Sequence, residues 1–386
     1  MKPPEFPMTI LVAPDSFKGS LSAAEAAQAM ARGIRNLWPS AIVVTCPISD
    51  GGEGFVRIVA EASGADIRTT PVQGPLSGQR VNAIWAWDSK RKSAIVESAQ
   101  AAGIGLIPTE QRHPGETTTH GVGELLLAAL DAGAGEIIVG VGGTGTNDGG
   151  AGMAVALGVR LSDIDGRSIP QGGVSLEGLA SIDVSGLDAR LSSAKVIAAT
   201  DVTNPLLGPG GAVHVFAPQK GADAAEVERL ERAMNCFAMV IRRDLGKDFA
   251  SVSGAGAGGG LGLGLLAFCN ARIQSGIETV LDRVGFRDLV RKADLVLTGE
   301  GQIDEQTGFG KALDGIMREA ERANVRTAAI VGRCAGPHES FVGPGRLAAL
   351  ASLEDAMTSR KEAMRDAALL VERRTSELLR SIDLRV

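Results

Sequence analysis

The chain has 386 residues, a length that suggests two or three domains. Its 44% apolar and 22% charged residues are ordinary for a globular protein that buries a substantial core without disulfide or metal staples. A net charge of −6 argues against an extended basic surface for nucleic acid, and the longest apolar runs, such as Leu261 to Phe268, fall short of the ~20 residues a membrane helix needs.

In chain order, Thr9–Ala13 is a short apolar run, read as a buried strand. It is too short for a targeting core, and Met1 to Pro7 is polar and proline-rich, so no signal peptide is expected. A helix follows over about Ser22 to Leu37: Ala26, Ala27, Met30, Ile34 and Leu37 recur at helical spacing, and Ser22 with Glu25 forms a capping box. Ala41–Ile48 reads as a strand and Glu53 to Ala62 as a helix, which makes the opening a βαβα unit with a parallel sheet. Val81–Trp87 and Ser93–Glu97 are expected to pair antiparallel. Then come a helix over Gly121 to Asp131, strands at Glu136–Gly142, Lys195–Thr200 and Val213–Phe216, and a long helix over Ala224–Leu245. The end alternates plainly: strand Asp294–Thr298, helix Gly310–Ala323, strand Thr327–Val331, helix Met364–Ile382. No internal repeat and no low-complexity tail interrupts this. The simplest architecture is an α/β one: a doubly wound domain built from both chain ends (1–66 and 285–386), with 67–284 inserted as a second, mixed α/β domain and a cleft between them. The four cysteines, Cys46, Cys236, Cys269 and Cys334, stand far apart, so no zinc pair or disulfide framework is expected; a reducing compartment, the cytoplasm, fits.

One pattern recurs: a strand-like run ends, and an acid with glycines follows. It appears at Asp15-Ser16, with Lys18-Gly19 close behind; at Asp50-Gly51-Gly52-Glu53; at Asn147-Asp148-Gly149; at Asp201 with Asn204; and at Glu300-Gly301 with Asp304. In open parallel sheets ligands bind outside the carboxyl ends of the strands, so these loops should converge on one cleft. Acids with few bases around them suit Mg²⁺, and Mg²⁺ suits a nucleoside triphosphate. Each acid also has a local reading: Asp15 shapes a turn, Asp50 and Glu53 form a cap and its partner, Asp148 sits in a turn. Lys18, just before a helix with Gly19 and Ser20 beside it, is the best cationic candidate for a phosphate or a carboxylate. Lys220 and Lys311 are weaker cations. Of Thr117, Thr118 and Thr119, one is expected to cap the next helix, and Thr118 is a candidate phosphate contact.

Two glycine runs fit the dinucleotide spacing, Gly140 to Gly145 with Asp165 twenty residues on, and Gly254 to Gly259. The first keeps an NAD-dependent hydroxy-acid oxidoreductase open as an alternative, although Gly149 and Gly150 would fall in the first helical turns, where glycine is costly. No Walker A loop exists: Gly308-Phe309-Gly310-Lys311 lacks both the upstream glycine and the following Ser/Thr.

At these same residues the chain resembles the bacterial glycerate kinase family of the glycerate/glucarate catabolic type. The matching strings are Ala13–Ala23, Ser49–Gly54, Thr117–Leu125, Thr146–Met153, Thr200–Leu206, Pro218–Ala222, Gly254–Gly262 and Leu297–Gln302, in order along nearly the whole chain. Ser49, Thr144-Gly145 and Ser98 depart from the family's usual residues, and none of these changes removes an acid or Lys18. The resemblance implies a kinase dependent on ATP and Mg²⁺, acting on D-glycerate, with a flavodoxin-like domain and an inserted α/β domain. It favours the 2-hydroxyl, with 3-phosphoglycerate as the alternative product. From the residues themselves, Asp201 is expected to be the base. Asp50 joins it as a catalytic residue that would hold Mg²⁺ with Glu53 and Glu300, directly or through water, and Asp304 is a further candidate for the metal. Lys18 neutralises the phosphoryl group or holds the carboxylate. Asp15, Ser16, Gly51, Gly52, Thr118, Asp148, Asn204, Gly256 and Gly258 are expected at substrate or nucleotide. No macromolecular partner is expected, and a homo-oligomeric state stays open.

Overall fold

The computed structural model describes residues 8–49, 51–52, 54–355 apart from 305–310, and 357–382. The side chain of Asp304 also lies outside the described set. In chain order the elements are β1 (Thr9–Val12), α1 (Ala23–Leu37), β2 (Ile42–Thr45), α2 (Phe55–Ser63), β3 (Asp66–Gln73), β4 (Arg80–Asp88), β5 (Ser93–Glu97), α3 (Ala99–Ala102), α4 (His120–Asp131), β6 (Glu136–Gly140), α5 (Ala151–Ala156), β7 (Arg160–Ser162), β8 (Ser181–Asp183) and β9 (Lys195–Ala199). They continue as α6 (Ala212–Phe216), α7 (Ala224–Leu245), α8 (Ala257–Phe268), β10 (Arg272–Gln274), α9 (Gly276–Arg283), α10 (Phe286–Val290), β11 (Leu295–Asp304), α11 (Lys311–Arg322), β12 (Arg326–Ala335), β13 (Ala349–Ser352), α12 (Arg360–Arg365) and α13 (Ala367–Ser381). No described helix is long and apolar enough to cross a membrane.

Contacts divide the chain into unit 1, Met1–Asp50 with Ile277–Val386, and unit 2, Gly51–Gly276. These limits precede the expected ones because α2 packs on β3, β4 and β5 of unit 2 rather than continuing the first sheet. Its Phe55 ring lies against Gly140, where a Cβ would come within 2.8 Å of it.

Unit 1 holds an all-parallel sheet in the order β13-β12-β11-β1-β2. Counted along unit 1 alone, that is the 2-1-3-4-5 order of flavodoxin-like doubly wound sheets, as expected. Both faces are buried. Ala328 and Ile330 of β12 join a cluster with Ile10, Met30 and Val371, whereas Ala329 and Val331, facing the other way, join Ile303, Leu313 and Phe341. The Ser22–Glu25 capping box forms, and α1 packs on α13 so closely that a Cβ at Gly33 would lie 2.3 Å from the Glu372 carbonyl oxygen. One element differs from expectation: β11 does not end at Thr298 but runs on beside β12 to Asp304, so Glu300 and Gly301 lie within a strand. Glycine at 299 and 332 lets the two backbones close up, since a Cβ there would meet the Ile330 and Gly301 carbonyl oxygens at 2.2 and 2.5 Å.

Unit 2 is a mixed sheet in the order β10-β9-β6-β5-β4-β3, parallel from β10 to β5 and antiparallel through β4 and β3. The expected strand at Val213–Phe216 is helix α6; its branched residues suit a strand by propensity, but Ala212, Val213 and Ala217 are buried against the α7–α8 cluster, and packing decides.

Candidate functional site

Each unit gathers loops at the carboxyl ends of its parallel strands. In unit 1 the chain after β1 bends onto its neighbours: the Ile48 N–H donates to the Pro14 carbonyl and the Asp15 N–H to the Gly299 carbonyl, at 2.9 and 2.8 Å. The Asp15 carboxylate turns back to accept the Ser16 N–H at 2.5 Å, the local turn role open from the sequence. Lys18 is exposed and lines a cleft with Ser20, Gln302, Arg333, Arg360 and Met364, at the junction of β1, β11 and β12. Glu300 is half-buried on β11.

In unit 2 the convergence is tighter. A Cβ at Gly142 would sit 3.3 Å from Gly52 Cα, and one at Gly51, where φ is +89°, 3.3 Å from Gly276 Cα. Only glycine brings these three turns so near one another. Asp201 follows β9, and its Oδ1 accepts from the Ser275 hydroxyl at 2.6 Å and the Gly276 N–H at 3.1 Å. The Asn204 amide donates to the Gly210 carbonyl at 2.8 Å.

Two of the expected contacts are built into the fold instead. Asp148 is 1% exposed, and its carboxylate accepts from the Thr119 N–H at 2.8 Å, the Thr119 hydroxyl at 2.9 Å, and the Gly150 and Gly152 N–H groups at 3.0 and 3.1 Å. These donors start α5 and tie it to α4. Burial pushes the Asp148 carboxyl above the usual range, against the pull of those donors. Thr118 is likewise buried, and its hydroxyl accepts the His120 N–H at 3.2 Å in a local turn ahead of α4. Gly256 and Gly258 serve backbone packing: a Cβ at Gly256 would lie 2.2 Å from the Pro205 carbonyl oxygen and one at Gly258 2.8 Å from the Val141 side chain. The left-handed run Gly258-Gly259-Gly260 threads past the Thr146–Gly149 loop.

Asp50 and Glu53 lie outside the described residues, as does the Asp304 side chain. Among the described residues no three His, Cys, Asp or Glu side chains cluster as a metal site. Mg²⁺ in phosphoryl-transfer sites needs only one or two carboxylates besides substrate phosphates.

Lys220, weak by sequence, is 5% exposed; its Nζ donates to the Thr144 hydroxyl at 3.2 Å and the Thr146 carbonyl at 2.7 Å. Burial lowers its pKa to about 7, against the charge of Asp148. The sequence analysis missed Ser275, Arg333 and Arg360 as well; a Gln-Ser-Gly string, now seen at the end of β10, is the one signal that could have marked Ser275. The dinucleotide reading fails on geometry. Gly140–Gly145 ends well before α5, a helix of six residues, and Asp165 follows β7, which pairs with β8 in a separate ribbon.

Comparison with known proteins fits this geometry. The sequence profile described as "Glycerate kinase family" matches residues 10–383. The chain belongs to the glycerate kinase family. A Bacillus subtilis glycerate kinase is 45% identical over 98% of each chain. An Escherichia coli K12 protein named glycerate 2-kinase is 46% identical over 84% of this chain and 85% of its own. A crystal structure of a Salmonella typhimurium LT2 protein, described as glycerate kinase 2, superimposes with a TM-score of 0.83 at 45% identity, covering 96% of this chain and 97% of that one. As a member of the glycerate kinase family the chain is an enzyme, a kinase without a P-loop.

Proposed function

We propose that this glycerate kinase transfers the γ-phosphoryl group of Mg-ATP to the 2-hydroxyl of D-glycerate, giving 2-phosphoglycerate and ADP. The hydroxyl oxygen attacks the γ-phosphorus, the bond to the β–γ bridging oxygen breaks, and the hydroxyl proton passes to the Asp201 carboxylate. Such a transfer depends on positioning and charge neutralisation more than on covalent chemistry. The observation that carries the reading is the way Asp201 is held: a carboxylate at the carboxyl end of β9 that accepts from the Ser275 hydroxyl and the Gly276 N–H. A base fixed this way stays oriented toward an incoming hydroxyl. Lys18 would meet phosphate charge, and Glu300, Asp50, Glu53 and Asp304 are the residues that would hold Mg²⁺, which would supply neutralisation of the phosphate charge. The 2-position is supported by the name of the Escherichia coli relative.

Product identity tests this. Mg-ATP, D-glycerate and the enzyme, coupled to enolase without a mutase, are expected to give an immediate signal. ADP release without that signal overturns the 2-position in favour of 3-phosphoglycerate. No ADP release from folded protein overturns the reaction.

A further inference from the structure

The cleft at the carboxyl ends of β1, β11 and β12 collects more positive charge than the fold itself uses. Lys18, Arg333 and Arg360 all line it. Among the described residues Arg333 pairs with Glu354 at 3.4 Å. Among the described residues no ion pair engages Lys18 or Arg360. Among the described lining residues three cations therefore face one carboxylate, a net +2. Arg360 is also the first residue of α12, where a cation works against the partial positive charge of a helix start. Its place there is not explained by helix stability.

Position and shape agree with the charge. In a 2-1-3-4-5 sheet the order reverses between the first and third strands, here β1 and β11, and ligands bind in the crevice at that point. Lys18 and Ser20 reach the cleft from the β1 side and Gln302 from β11. One wall is apolar: Phe17 and Leu353 form a buried floor, with the half-exposed Met364 beside it. A three-carbon hydroxy acid has no use for an apolar floor, whereas a nucleotide base does.

We propose that this cleft is the nucleotide site of unit 1, with Arg360 and Arg333 joining Lys18 on the polyphosphate of ATP and the base lying on the Phe17–Met364 wall. The proposal rests on the kinase reading above and adds to it two binding residues and the ligand they take. Arginine suits the task because its planar fork binds phosphate oxygens in pairs.

The test is calorimetric titration of wild type, Arg360→Gln and Arg360→Lys with a non-hydrolysable ATP analogue, with D-glycerate and with inorganic phosphate, beside steady-state kinetics. Arg360→Gln is expected to weaken the ATP analogue on the order of 10-fold, as loss of one charge-assisted contact does, and to raise KM for ATP in parallel. Its KM for D-glycerate should stay near wild type, and Arg360→Lys should recover part of the affinity. Arg360 is exposed and outside any described ion pair, so the variant should fold. Unchanged nucleotide affinity overturns the assignment. A rise in KM for D-glycerate alone also overturns it, since the anion would then be the acid's carboxylate. Binding is read directly, so the cleft is judged even if wild type made no phosphoglycerate, a result that would sink the reaction instead.

Discussion

At the strand ends of unit 1, Lys18 and Arg360 stand exposed beside a cleft. At those of unit 2, Asp148 and Lys220 are sealed in protein, each held by hydrogen bonds to neighbouring loops. The strings behind these two regions both set an acid close to glycine, Asp15 near Gly19 and Asp148 beside Gly149. What separates them is what the glycines do. Around Gly19 there is room, with only the end of the Met364 side chain near, at 3.2 Å. Around Gly259 the Thr146 carbonyl oxygen would meet a Cβ at 1.9 Å. Glycine thus frees a turn in one region and packs backbone on backbone in the other, and only the second arrangement makes the loop rigid.

The same substitution made in both places should break or confirm that contrast. Gly259→Ala adds left-handed strain, with φ at +70°, to a backbone clash, and should cost roughly 2–5 kcal/mol in thermal or denaturant unfolding. Gly19→Ala, at φ +81°, meets only a flexible methyl and should cost about 1 kcal/mol. Equal costs would mean that the two loops are packed alike.

A smaller effect should appear with pH. Lys220 has a folded-state pKa of about 7 against an ordinary 10.5, so between those values the folded chain binds fewer protons than the unfolded one. Its contribution to stability therefore rises with pH across that window, by at most ~1.4 kcal/mol per unit, and is lost as pH falls through about 7. Lys220→Met should remove this slope, so wild type should gain on the variant from pH 7 upward in unfolding measurements. The buried thiols Cys46 and Cys269, pushed up to about 12 from 9.0, act in the opposite sense above pH 9.0, but equally in both proteins. Parallel stability curves for the two would show that Lys220 is not sealed.

Much of the fold was legible because both periodicities were clean. Helix α7 falls on Ala224–Leu245 as read, and the β4–β5 antiparallel pair forms as expected. The failures have physical causes. Val213–Phe216 has strand propensity but helical packing, and the reach of β11 to Asp304 depends on its pairing with β12, a contact between segments some thirty residues apart. For the site, Asp201 stands out in the sequence because a carboxylate directly after an apolar strand has little local use, and its role as the base is a proposal. Asp148 could not be sorted from it, because its four donors come from Thr119, Gly150 and Gly152, and sequence spacing does not show which side of a loop faces inward. Arg333 and Arg360 carry no motif; only the fold sets them beside Lys18.

The account assigns nucleotide binding to the open cleft of unit 1 and proton acceptance to Asp201 of unit 2. The direct test is Asp201→Asn, assayed for turnover and, in the same preparation, for affinity toward the non-hydrolysable ATP analogue. Turnover should fall by roughly 10²–10⁴-fold, the usual contribution of a positioned base, while nucleotide affinity stays at the wild-type value. A loss of turnover under tenfold in folded protein, or a parallel loss of nucleotide affinity, would contradict the division of roles.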